Sequence, residues 1–250
     1  MDSIINGIAE GLRLIFSGDP RTYEIALRSL EVSLSALAIS LVLGVPIGAL
    51  VGLSQFRGRR VVVATLNTGM GMPRVVVGLV VALFLWRTGP LGSLGLMYTI
   101  QAMVIAQTLI ATPIIAALCV AALQQLDSGF RLQVMSLGAG RIRTFFLLMR
   151  EIKGPLMAAM AAAFGGIIAE VGAVMMVGGN IKGQTEVLTT GIVSNVNMGL
   201  FGSAIALAVV LLVLSFSTNL AMILLQRPRK RREKQTAVRN VVQAELGGGE

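Results

Sequence analysis

Five times in 250 residues the sequence runs for about 20 residues or more with almost no charge, the length an α-helix needs to cross a hydrocarbon layer. The runs cover residues 32–53, 61–86, 100–123, 154–178 and 201–225. A chain patterned this way folds as a bundle of membrane-spanning helices. A membrane β-barrel is excluded, because its strands are short and alternate in polarity. Only 13% of residues are charged, against about a quarter in soluble domains, and mean hydropathy is +0.81. The first residues lack the basic start and long apolar core of a cleavable signal peptide.

The basic residues set the orientation. Arg57, Arg59 and Arg60 follow the first run, and a polar loop at about 127–153 with Arg131, Arg141, Arg143 and Arg150 follows the third. Arg227, Arg229, Lys230, Arg231, Arg232 and Lys234 follow the fifth. With five spans these regions share one side, which the positive-inside bias makes cytoplasmic, so the C-terminus is cytoplasmic. Residues 1–20 hold a short amphipathic helix, with Ile4, Ile5, Ile8, Leu12 and Ile15 on one side, expected to lie in the membrane interface and to end at the Ser-Gly-Asp-Pro-Arg turn. Residues 21–226 form the spanning domain. The basic tail, 227–250, is expected to be disordered beyond a contact with anionic lipid. The net charge of +9 lies mostly in loops and tail, a membrane-topology pattern rather than a nucleic-acid footprint.

The polar loop is too long for a turn. It is patterned as two short amphipathic helices around Gly138-Ala139-Gly140. Ser136, Leu137, Gly138 and Ala139 resemble the cytoplasmic loop of permease subunits of binding-protein-dependent ABC importers, whose consensus is Glu-Ala-Ala, three residues, then Gly. Leu132, Gln133 and Val134 depart from the Glu-Ala-Ala half. The resemblance implies a knob that docks in a groove of an ATPase subunit, with Leu132, Ser136, Leu137, Gly138, Ala139 and Arg141 as the coupling residues.

A more specific stretch runs from Ala169 to Thr190. Glu170, Gly172, Gly178, Gly179, Asn180, Ile181, Thr185 and Leu188 resemble, in order, the permeases of tungstate importers and less closely those of molybdate importers. Gly-Val-Pro-Ile-Gly in the first run and Gly-Pro-Leu-Gly-Ser-Leu-Gly-Leu at 89–96 also fit, so the resemblance covers about residues 1–226. Arg74 departs, standing where that group usually has a second proline. The resemblance implies an all-α type I importer permease fold in a bacterial or archaeal cell (inner) membrane. It also implies a homodimer, two cytoplasmic ATPase subunits carrying ATP and Mg, and an extracytoplasmic binding protein. The expected cargo is an oxyanion: tungstate, with molybdate or sulfate as the alternative. An ion-coupled secondary transporter or a channel is the rival class.

Arg74 and Glu170 are charged residues inside predicted spans, which is costly and means pairing or a polar cavity. Counted from the cytoplasmic ends at about 1.5 Å per residue, they sit at roughly 20 and 24 Å. They are expected to pair, or both to face the pathway; Arg74 is the better group to attract an anion. Ala161, Gly165, Ala169 and Ala173 recur every four residues, a spacing that lets helices approach closely. That stripe serves either packing within the chain or, together with Gly178, Gly179 and Asn180, a seam at a permease–permease interface or along a central pathway. The chain has no histidine and one cysteine, Cys119. No GxxxxGK[ST] motif is present to cradle ATP phosphates, and no intramembrane carboxylate cluster suggests a proton relay. The sequence therefore reads as a transport subunit rather than an enzyme, binding no metal or cofactor itself and energised by a partner.

Overall fold

The structure is a computed structural model that describes residues 2–17, 19–126, 136 and 140–225. Its helices are α1 (Asp2–Ser17), α2 (Pro20–Leu53), α3 (Arg59–Met70), α4 (Arg74–Leu85) and α5 (Ile100–Gln124), then α6 (Arg141–Glu151), α7 (Lys153–Ile168), α8 (Gly172–Gly178), α9 (Leu188–Asn197) and α10 (Phe201–Leu225). Among the described residues there is no strand. Three helices, α2, α5 and α10, are each long and apolar enough to cross a membrane alone. The count rises to five if the bent pairs α3–α4 and α6–α7 each make one span. Helix α1 lies along α10.

Two expectations about the spans are corrected. The first run was expected from residue 32, but α2 starts at Pro20 and has 34 residues, roughly 50 Å, well beyond a hydrocarbon core of about 30 Å. Asp19 caps it: the carboxylate accepts the Thr22 amide at 2.8 Å and the Thr22 hydroxyl at 2.6 Å. The charged residues before position 32 extend the helix because they find partners. Arg28 is buried, pairs with Glu24 one turn away, and donates to the carbonyls of Gly183 and Glu186, each at 3.0 Å.

The fourth run, expected to be continuous over 154–178, breaks between Ile168 and Gly172. The second bends by 99° at Gly71-Met72-Pro73, because proline donates no amide and disfavours the helical conformation of the residue before it.

The core is helix against helix. In α2, Gly44, Gly48 and Gly52 recur every four residues and lie against α5. A Cβ at Gly48 would fall 2.6 Å from the Ala116 carbonyl oxygen, so this crossing needs glycine. The main cluster joins α2, α4, α5, α7 and α8 around Phe164, Met103, Ile115 and Ile167. At one end Leu148 and Ile152 tie the α6–α7 bend to α2 and α5. At the other, Ile25, Leu188, Leu207 and Val210 join α2, α9 and α10.

Candidate functional site

The two helix breaks meet. Arg74 begins α4, just after the first break, and Glu170 lies inside the second. Arg74 Nη1 stands 3.2 Å from Glu170 Oε2 and also donates to the Gly166 carbonyl. Glu170 Oε1 accepts the Ala173 amide at 3.0 Å. The guanidinium lies at the carbonyl end of α7 and the carboxylate at the amide end of α8, the ends their signs favour, which offsets the unfavourable place of Arg74 as the first residue of α4.

Other side chains complete the brace. Gln107 on α5 donates to the Ile167 carbonyl at 3.0 Å, and the Thr189 hydroxyl donates to the Glu170 carbonyl at 2.8 Å. Backbone groups freed by a break inside a membrane protein need such partners. The pair is asymmetric in exposure: Glu170 is 5% exposed, Arg74 40%. Glu170 is thus held by structure, while Arg74 presents an open side.

The residues of the small stripe do not share one surface. Ala161 and Gly165 are half-buried and Ala169 is exposed, whereas Ala173 is fully buried on α8, where its Cα would be 2.6 Å from a Cβ at Gly78. A four-residue spacing marks one surface only on a continuous helix, and the break at Glu170 puts Ala173 on another helix. Gly178, Gly179 and Asn180 close α8. Gly179 has φ +72° and Asn180 φ +50°, a left-handed turn with Tyr98 laid over Gly179. Thr185 ties that turn by donating to the Gly178 carbonyl and accepting the Ile181 amide.

Of the expected coupling residues, Leu132, Leu137, Gly138 and Ala139 lie outside the described residues. Ser136 is helical and exposed, and Arg141 starts α6. Helix α6 meets α7 at 72°. It buries Leu148 while Ile142 and Phe146 stand 76% and 66% exposed.

The glycine repeat of α2 and the anchoring of 183–186 by Arg28 escaped the sequence reading. The four-residue glycine spacing was visible. The Arg28 contacts, spanning more than 150 positions, carry no local signal.

These features define a class: a helical membrane protein whose interrupted spans place a charged pair inside the bundle. The family model for the inner-membrane component of binding-protein-dependent transport systems matches residues 44–231, and the chain belongs to that family. It is 41% identical over 226 residues to the tungstate uptake system permease protein TupB of Peptoclostridium acidaminophilum, covering 90% of this chain and 99% of that one. It is 33% identical to TupB of Campylobacter jejuni, over 88% of this chain and 92% of that one. The molybdenum transport permease ModB of Haemophilus influenzae is 23% identical over 64% of this chain and 73% of its own length. Among solved structures, the inward-facing MetNI methionine ABC transporter superposes with a TM-score of 0.69 at 18% identity, covering 85% of this chain and 99% of that one. That likeness is one of fold.

Proposed function

We propose that this chain is the membrane-spanning subunit of an ATP-driven importer that carries an oxyanion, with tungstate ahead of molybdate and sulfate. The observation that carries this reading is the 41% identity to a tungstate permease over 90% of the chain, and Arg74 adds a feature of this chain's own that fits it. A guanidinium 40% exposed at a break inside the bundle is untenable against lipid and fits a water-lined path for an anion. The greater similarity to tungstate permeases than to the molybdenum permease supports the order of cargoes.

Two copies of the chain enclose the path. An extracytoplasmic binding protein delivers the anion, and two cytoplasmic ATPase subunits bind ATP and Mg. The basic loops and the C-terminus face those ATPases. The segment from Leu132 through Ser136, Leu137, Gly138 and Ala139 to Arg141 docks in an ATPase groove. The exposed Ile142 and Phe146 of α6 add apolar contact where the acidic half of the usual loop is missing. ATP binding draws the ATPases together, α6 follows, and α7 moves with it through the Leu148–Ile152 anchor. The bundle then exchanges an inward-facing for an outward-facing packing, biased by ligands on both sides.

The test is uptake of tungstate, molybdate and sulfate by vesicles containing the chain with its ATPase and binding protein, with and without ATP. ATP-dependent uptake with tungstate preferred supports the reading. Preference for another oxyanion reassigns the cargo, and uptake by the chain alone without ATP rejects the importer.

A further inference from the structure

We propose that the guanidinium of Arg74 is an oxyanion subsite within the transport path, and that Glu170 is the cargo's competitor for it. The proposal rests on the permease reading above. Arg74 carries five N–H donors, and among the described residues only Nη1 is engaged, by the Gly166 carbonyl and Glu170 Oε2. Nε and Nη2 make no hydrogen bond among the described residues, and the side chain is 40% exposed.

What it opens onto is set by its neighbours. A Cβ on Gly166 would stand 3.1 Å from Arg74 Nη2, so the guanidinium lies on the Gly166 side of α7. One turn to either side on that face are Ala162 and Ala169, both small and exposed. The irregular backbone at Gly71-Met72-Pro73 is exposed beside Arg74. Non-helical backbone and a half-exposed cation both rule out a lipid-facing surface. Such a face is covered by the second copy or is wet, and on this proposal it is the wet wall of the path, lined by small side chains and carrying a positive fork matched to two oxygens of a tetrahedral anion.

An incoming dianion carries more charge than the single carboxylate it meets. When Arg74 turns away, Glu170 Oε1 keeps the Ala173 amide, but the buried carboxylate loses its charge partner, a cost that the anion's contacts to Arg74 must exceed. Arg74, turning to the anion, loosens its hold on the Gly166 carbonyl at the end of α7. The break between α7 and α8 then loses its cross-brace to α4. Anion arrival is in this way converted into freedom at the hinge of the fourth span.

The experiment uses the full importer in nanodiscs, without the binding protein, and follows thermal unfolding against sodium tungstate, with sodium chloride as control. Three forms are compared: wild type, Glu170→Gln, and the double variant Arg74→Gln/Glu170→Gln. The double variant removes both charges together while keeping side chains able to hydrogen-bond, so it leaves no buried charge alone. Tungstate is expected to raise the wild-type midpoint. In Glu170→Gln the rise should come at about tenfold lower tungstate, the scale of one charge-assisted hydrogen bond. In the double variant, folded by its midpoint in buffer, tungstate should give no shift, and uptake by the complete system should fall at least about tenfold. Wild-type uptake by the double variant overturns the subsite. A rise at the same tungstate concentration in wild type and Glu170→Gln overturns the competition, and an equal shift with chloride overturns the specificity. Absence of oxyanion uptake by the wild type is a different failure, that of the permease reading itself.

Discussion

Replacing Gly48 by alanine tests one of the two closest helix crossings among the described residues, the other being Gly78 against Ala173. A Cβ there would lie 2.6 Å from the Ala116 carbonyl oxygen and 2.7 Å from the Cys119 Cβ. Neither atom is the end of a flexible side chain, so α2 and α5 must part. Overpacking of this kind costs about 1–3 kcal/mol. The helix-propensity gain of alanine over glycine returns at most about 1 kcal/mol. With the full propensity gain the net loss is about 0–2 kcal/mol, up to roughly 30-fold in the folded-to-unfolded ratio. The same change at Gly165 makes a contrast. There the nearest atom to a new Cβ is Asn219 Nδ2 at 3.9 Å, so alanine fits and the effect lies between zero and about 1 kcal/mol of stabilisation. Cys119 is the sole cysteine and is buried in the α2–α5 seam, so its labelling by a thiol-reactive dye on heating reports the seam opening. Gly48→Ala should label at a lower temperature than wild type, and Gly165→Ala at the same temperature or higher. A midpoint for Gly48→Ala equal to or above that of Gly165→Ala would refute the packing argument.

Three further outcomes follow from the contacts. Arg28→Ala removes the bonds to the Gly183 and Glu186 carbonyls and should cost about 2–4 kcal/mol, seen as faster tryptic cleavage at the neighbouring exposed Lys182. Asp19→Ala should cost about 0.5–2 kcal/mol by loss of the α2 cap. The Thr22 hydroxyl, and after it the Thr22 amide, hold the Asp19 carboxyl below its ordinary value of 3.8. The cap is therefore at full strength above about pH 4 and is lost as pH falls below that, so the Asp19→Ala difference in thermal midpoint should shrink in acid. Gly138→Trp should abolish ATP-driven uptake while the protein remains folded in the membrane; normal uptake would remove the loop from the coupling role.

The sequence announced what depends on local composition and hid what depends on distant partners. Length and apolarity placed α5 and α10 almost to the residue, because a span's ends are set by the bilayer. Arg74 and Glu170 stood out because a charge is conspicuous in an apolar run. The break at Glu170 was read through, since no proline marks it. It exists because Arg74, Gln107 and Thr189, from three other parts of the chain, satisfy the groups it exposes. The missed first turns of α2 have the same origin: residues 21–31 lie outside the apolar run and are held where Arg28 meets Gly183 and Glu186. The regular spacing of Ala161, Gly165, Ala169 and Ala173 suggested one surface only because the helix was taken as unbroken.

On the proposed function this chain moves an oxyanion and another subunit supplies the energy. The most direct measurement is tungstate uptake into vesicles reconstituted with the chain, its ATPase and its binding protein. Accumulation should require ATP and all three components, with tungstate preferred to sulfate. Accumulation by vesicles containing this chain alone, unchanged by ATP, would contradict it.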